Sequence, residues 1–315
     1  MERPIILPDT EKSLQVGVDI GGSHISTCLF DGQRAELLLE SMTTRHPDPN
    51  GTANELIGVW AEAIECTIKQ SNRPIGGIGI AVPGPFDYAQ GISLITGVNK
   101  FECIYGVNIK EELSHRLKLE KSQIRFVNDA AAFGIAVTKV GLAKNVDRCV
   151  ALTLGTGLGS SFLVAGVPVI SGDEVPENGW LYNGEFQGEM ADDHFSARGL
   201  VKCYQSLGGR EASTALDVFN LAKSDRLAQK AFELFGSRLG SFLDPYIQKF
   251  GAHILVLGGN LSRSFPLFEQ YLRKELSIDS VVVSAIIDHA PLIGGAMLFE
   301  EEYYEDLARV INKMK

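Results

Sequence analysis

Cysteine is scarce, with Cys28, Cys66, Cys103, Cys149 and Cys203 scattered over 315 residues. The number is odd and no two stand at metal-ligand spacing, which argues against a disulfide framework and a cysteine-rich zinc site. Reduced thiols in the cytoplasm are the reading that remains. Long apolar runs are also missing. Stretches such as VVVSAII at 281–287 fall far short of the ~20 residues of a membrane helix. MERPIILPDTEKS at the start has no long apolar segment behind a basic one, so it does not read as a secretion signal. Positive charge is in deficit: 29 Lys and Arg against 39 Asp and Glu leave a formal net charge of −10, the wrong sign for nucleic acid or an anionic membrane as main partner. There is no low-complexity stretch and no flexible linker. What is present, 45% hydrophobic and 22% charged residues, is the composition of a soluble globular protein. The length suits about two domains.

Periodicity then gives the elements. LQVGVDI (14–20), the turn Gly21-Gly22-Ser23 and HISTCLF (24–30) read as strand, tight turn and strand. Leu56, Ile57, Trp60, Ala63, Ile64 and Ile68 recur at helical spacing within 52–69. IGGIGIAVPGPFD (75–87) is a strand entering a proline–glycine loop. A helix is expected around 107–119, then the strand IRFVND (124–129) and an Ala-rich helix from near Ala130. At 149–165 the opening pattern returns: with Asp19 laid over Thr153, an offset of 134, IGGSHIS meets LGTGLGS and apolar residues meet apolar residues. Such self-similarity suggests a duplicated α/β architecture, with two hairpins able to grip a polyphosphate. Further on, 166–199 is turn-rich and 215–250 mostly helical. HILVLGGNLS (253–262) is a buried strand ending in two glycines, VVVSAII another strand, and the C-terminus one or two helices.

Phosphate can approach backbone N–H groups closely only where no Cβ intervenes. Gly21-Gly22-Ser23 and Gly155-Thr156-Gly157-Leu158-Gly159 both offer such loops with a hydroxyl. Each alone could be no more than a hairpin turn, but the pair in matching register favours phosphate. Neither is a dinucleotide or Walker loop. Asp19, beside the first loop, can hold Mg²⁺ through water, or can simply stabilise the turn. His24 reads as a strand-surface residue. Asn128-Asp129 ends a strand that leads into a helix, where α/β proteins place ligand-contacting groups. Asp129 is either a base accepting a hydroxyl proton in phosphoryl transfer or a helix N-cap.

These segments carry a resemblance. VGVDIGGSHIS (16–26) resembles the first phosphate motif of the ROK family of repressors, open reading frames and kinases. AVPGPFD (81–87) is similar to its PGP-x-D loop, VNDAAAFGIA (127–136) to its catalytic N-D-A segment and LTLGTGLGSSFLVAG (152–166) to its second phosphate motif. ILVLGGNLS (254–262) is similar to its adenosine-side glycine pair, and HFSARGLV (194–201) to the stretch that opens its next helix. The matches keep family order over nearly the whole chain. The resemblance implies an α/β fold of the actin-like ATPase (ribonuclease H-like) type: duplicated, two-domain, with an interdomain cleft. It places a smaller N-terminal domain over 1–122 plus a C-terminal helix at about 298–315, and a larger domain over 123–297. It implies an ATP-dependent sugar kinase acting on a hexose or N-acetylhexosamine, with ATP and Mg²⁺. Gly21, Gly22, Ser23, Gly155, Thr156, Gly157 and Gly159 hold phosphates in that reading, Asp19 orients Mg²⁺–ATP, Gly258 and Gly259 approach adenosine, and Asp129 is the base. Asn128 and the Gly84 loop line the sugar pocket, and the assembly is a homodimer. About fifteen residues precede the first strand, too few for the helix-turn-helix of family repressors.

The sugar side departs from the pattern. Where the family has G-E-x-G-H, this chain has Glu177-Asn178-Gly179-Trp180, with tryptophan for histidine. Trp180 either stacks on a sugar face or is a core aromatic. The cysteine-rich zinc loop is absent, and the later sugar-contacting glutamate falls on Asp192. A catalytically weak sugar-binding regulator is the alternative these changes raise.

Overall fold

In the computed structural model, residues 13–48, 51–97 and 101–314 are described. The N-terminal stretch read above for a secretion signal lies, but for Ser13, outside them. The chain divides into two units, one running to Ala132 and resuming at His289, the other Phe133–Asp288.

The first unit opens with β1 (Leu14–Ile20), β2 (Ile25–Asp31) and β3 (Glu36–Arg45), an antiparallel run. Helix α1 (Ala53–Ile68) follows. Thr52 caps it, its hydroxyl accepting the Glu55 N–H while the Glu55 carboxylate returns to the Thr52 N–H. Its apolar stripe, Leu56, Ile57, Trp60 and Ile64, is buried as the spacing predicts. Next come β4 (Ile75–Val82), the short pair β5 (Phe86–Asp87) and β6 (Ile92–Ser93), α2 (Ile109–Leu117) and β7 (Ile124–Asn128). The sheet order is β3-β2-β1-β4-β7, with β4 and β7 parallel to β1. Helix α3 (Asp129–Lys139) begins directly at the end of β7.

The second unit repeats the plan. β8 (Arg148–Leu154), β9 (Leu158–Val164) and β10 (Val167–Pro168) form the antiparallel run. A small hairpin, β11 (Glu185–Phe186) and β12 (Glu189–Met190), precedes α4 (Ala191–Phe195), α5 (Ala197–Ser206), α6 (Ala215–Leu221) and the long α7 (Arg226–Phe250). β13 (Ile254–Gly258), α8 (Phe265–Glu275) and β14 (Val281–Val283) complete it. The sheet order β10-β9-β8-β13-β14 matches the first sheet strand for strand. β1 and β8 are 134 apart at both ends, the offset read from the sequence, whereas β2 and β9 are 133 apart because the second turn is one residue shorter. The strand expected over 281–287 is shorter. It pairs with β13 only from Val281 to Val283, and the Ser284 N–H then turns to the Leu257 carbonyl.

The chain then returns to the first unit as α9 (Ala290–Ala296) and α10 (Glu301–Ile311). α9 lies on the face of β1 and β4, so close that a Cβ at Gly17 would strike the Leu292 carbonyl and one at Gly79 the Gly295 carbonyl. The boundaries expected at 122/123 and 297/298 are therefore corrected. β7 pairs with β4 and α9 packs on β1 and β4, which puts residues 123–132 and 289–297 in the first unit.

Candidate active site

Three parallel strands of the first unit end along one edge, where α/β sheets gather ligand-contacting groups. Asp19 on β1 is level with Ala81 on β4, which is level with Val127 on β7. Asp19 and the Asn128-Asp129 corner are thus two strand spacings apart, roughly 10 Å. The Asp19 side chain is 20% exposed. Burial, and then the charge of Asp129, push its carboxyl from the ordinary 3.8 up to about 7. Burial likewise raises Asp129, against the pull of the Ala130 N–H (2.8 Å) and the Asn128 side chain. Two carboxylates placed so that each is costly to ionise call for a cation-bearing ligand. Among the described residues no group of three or more His, Cys, Asp and Glu is placed to hold a metal. One or two carboxylates with waters and phosphate oxygens is how Mg²⁺ is bound, and the donor set here fits that ion.

His24, passed over in the sequence, stands with its Nε2 4.0 Å from the Asp19 carboxylate and its ring against Gly21, where a Cβ would lie 2.7 Å away. Burial and His46 lower its pKa, so it stays neutral at pH 7 and leaves the acidic pair unbalanced. The Gly21 N–H is turned inward to the His24 carbonyl (2.9 Å), while Ser23 at the tip is exposed.

Asn128 is buried and caps α3. Its Oδ1 accepts the N–H groups of Ala130 (3.1 Å) and Ala131 (3.2 Å), and its Nδ2 donates to the Tyr88 hydroxyl (3.1 Å). The capping role considered for Asp129 thus falls chiefly to Asn128. Tyr88 also donates to the Val82 carbonyl (3.3 Å) and touches Gly84 of the proline–glycine loop. Nothing in PGPFDY singled it out, because its partner lies forty residues away.

In the second unit the loop 155–157 joins β8 to β9. Among the described residues no atom lies within 4 Å of a would-be Cβ on Gly155, and its φ is not left-handed, so the fold itself does not require glycine there. A ligand approaching the backbone would. Thr156 and Gly157 are exposed beside it. Asp192, expected at the sugar, is tied to the protein by both carboxylate oxygens. Its Oδ1 accepts the Leu158 N–H (2.6 Å) and its Oδ2 pairs with Arg198 (2.6 Å), so it braces the glycine loop. Ser160, just beyond Gly159, links the loop strand to the Glu177–Trp180 segment. Its hydroxyl donates to the Gly179 carbonyl (2.7 Å) and accepts the Leu181 N–H (2.9 Å). Glu177 is exposed, and Trp180 is half-buried against Tyr182 with ring centroids 5.8 Å apart. Trp180 is therefore not a core aromatic.

Between the Glu177–Trp180 segment and α4 stands the β11–β12 hairpin. Phe186 anchors it by packing on His194, Phe195 and Phe242, with centroids 5.0–5.8 Å apart. Gly258 and Gly259 both have structural reasons to be glycine. A Cβ on Gly258 would strike the Phe133 ring, and Gly259, at φ +76°, lies against the Leu154 backbone. They stand at the end of β13 beside β8, and their glycine identity serves packing.

Comparison with known proteins fits this arrangement. The chain is 27% identical to the glucokinase of Thermotoga maritima over 320 aligned positions, covering 91% of this chain and 97% of that one. It is 26% identical over 262 positions to the N-acetylgalactosamine kinase AgaK of Shewanella sp. strain ANA-3, covering 78% and 81%. The structure superposes on a ROK family glucokinase from Streptomyces griseus in complex with glucose and AMPPNP with a TM-score of 0.72. Identity there is 18%, with 91% of this chain and 99% of that chain covered. The two matched sheets and their helices are thus the actin-like ATPase fold. The sequence model of the ROK family matches residues 15–302, nearly the whole described chain, and the protein belongs to that family.

Proposed function

We propose that this protein is an ATP-dependent sugar kinase that transfers the γ-phosphoryl group to a hydroxyl of a hexose or N-acetylhexosamine. The observation that carries the reading is the pair Asp19 and Asp129 on one sheet edge, both raised by burial and, among the described residues, without a cationic side chain that offsets them. The kinase relatives and the open backbone at Gly155 support it.

Asp129 accepts the proton of the attacking sugar hydroxyl. That oxygen bonds to the γ-phosphorus as the bond to the bridging oxygen breaks, leaving ADP and a sugar phosphate. A raised pKa suits this role, since a base works best when its pKa lies near the working pH. Bound with the nucleotide, Mg²⁺ would neutralise charge on the phosphoryl oxygens. Asp19 would hold it through water. In the first unit Gly21, Gly22 and Ser23, and in the second Gly155, Thr156, Gly157 and Gly159, are assigned to phosphate, and Gly258-Gly259 to adenosine. Asn128 and the Gly84 loop are assigned to the sugar, with Glu177 and Trp180 as the candidates that set its identity. A homodimer in the cytoplasm belongs to the same reading.

The half-buried Trp180 in place of a histidine favours a second reading, a sugar-binding regulator of low turnover. A coupled ADP-release assay over a panel of hexoses and N-acetylhexosamines separates the two. The kinase reading expects turnover with at least one sugar, falling by at least about 100-fold in Asp129→Asn while ATP binding persists. Sugar binding without turnover of any panel member would leave the regulator.

A further inference from the structure

We propose that Tyr88 is a positioning residue of the phosphoryl-transfer site: its hydroxyl locks the Asn128 amide and so fixes the corner from which Asp129 is presented. The inference rests on the kinase reading above and adds a residue that no motif of the chain marks. The orientation of the Asn128 amide follows from the backbone of α3. The Ala131 N–H points at this side chain, as does the Ala130 N–H that Asp129 also accepts, so Oδ1 faces α3. The NH₂ end is then turned to Tyr88, whose oxygen accepts at 3.1 Å and spends its single hydrogen on the Val82 carbonyl at 3.3 Å. Val82 and Asn128 are cross-strand partners on β4 and β7, so one hydroxyl ties together the ends of two neighbouring strands. It also sits against the Pro–Gly loop, 3.0 Å from where a Cβ of residue 84 would stand. The ring is 1% exposed and packs on Phe86, with centroids 5.3 Å apart, so the hydroxyl can be removed without unseating the side chain. A buried hydroxyl could merely satisfy the Val82 carbonyl. The position of its second bond, on the residue adjoining the base, points to a role in aiming Asp129.

The test is a cycle of Tyr88→Phe, Asn128→Ala and the double variant in the full-length protein. If Tyr88 acts through Asn128, Tyr88→Phe lowers kcat about 10- to 100-fold with KM for ATP unchanged, as small misplacements of reacting groups do. The double variant is then no slower than Asn128→Ala alone. Full kcat in Tyr88→Phe, or losses that multiply, would overturn the proposal. A second readout does not depend on turnover. The side-chain amide resonances of Asn128 in a ¹H–¹⁵N spectrum should shift and broaden in Tyr88→Phe, and unchanged resonances overturn the proposal as well. If the unaltered protein phosphorylates no sugar of the panel, the kinase reading falls. The amide spectrum still decides whether the hydroxyl holds the Asn128 corner.

Discussion

At the scale of single residues, Asp19 makes the ligand-free protein pH-sensitive in an unusual direction. Its carboxyl binds a proton more tightly in the fold, at about 7, than in the unfolded chain at 3.8. Between those values the folded state holds the extra proton, so this group's contribution to stability is largest below pH 4 and is lost as pH rises through 7. Above pH 7 the ionised group opposes folding by on the order of 1–4 kcal/mol. Asp19→Asn should therefore raise the melting temperature at pH 8, with the gain shrinking toward pH 4, while Mg²⁺–nucleotide affinity falls. In the unaltered protein that affinity should weaken below pH 7, where Asp19 takes up its proton. Calorimetric unfolding and nucleotide titration across pH 4–9 check both. A destabilised Asp19→Asn at pH 8 would contradict the account. The same scale shows what motifs can convey. Asp19, Asp129 and the loop glycines stand in short local patterns and were legible. Tyr88 and Ser160 bond to partners about 20 to 40 residues away and were not, and neither was the bond from Asp192 to the Leu158 N–H, 34 residues away.

At the scale of elements, glycine serves two different ends. In β4, Gly79 admits helix α9, and a Cβ there meets the Gly295 backbone, which cannot rotate away. In the loop between β8 and β9, a Cβ on Gly155 meets nothing among the described residues. Gly79→Ala should cost about 1–3 kcal/mol by overpacking, whereas Gly155→Ala should leave stability within about 0.5 kcal/mol and weaken ATP binding. Urea unfolding beside nucleotide titration separates them, and equal destabilisation by both would refute the distinction. Alternation and turn chemistry made the two glycine hairpins readable. The docking of α9 was not, because Gly17 and Gly79 look in sequence like ordinary strand positions, and only the arriving helix gives their lack of a side chain a meaning.

At the scale of the whole molecule, the duplication was legible from one alignment of the chain on itself, since β1 and β8 stand in the same order of neighbours. The limits of the two units were not. Strand β7 follows a predicted break at 122/123 but chooses β4 as its partner, and that choice depends on residues 46 positions upstream. Ligand linkage is the property to measure at this scale. A non-hydrolysable ATP analogue with Mg²⁺ at about 100 times its Kd should add about 2.7 kcal/mol to unfolding of the ligand-free protein. Thermal shift with and without Mg²⁺ reads this directly, and no shift with any nucleotide would count against the kinase reading.

The paired carboxylates at the edge of the first sheet also have a meaning for selection in a living cell. An amide at position 19 would give a protein that accumulates to higher levels and resists proteolysis, yet fails to support growth on its sugar. A deep mutational scan scored for abundance and another scored for growth should disagree in sign at position 19, while at Gly79 both should fall together.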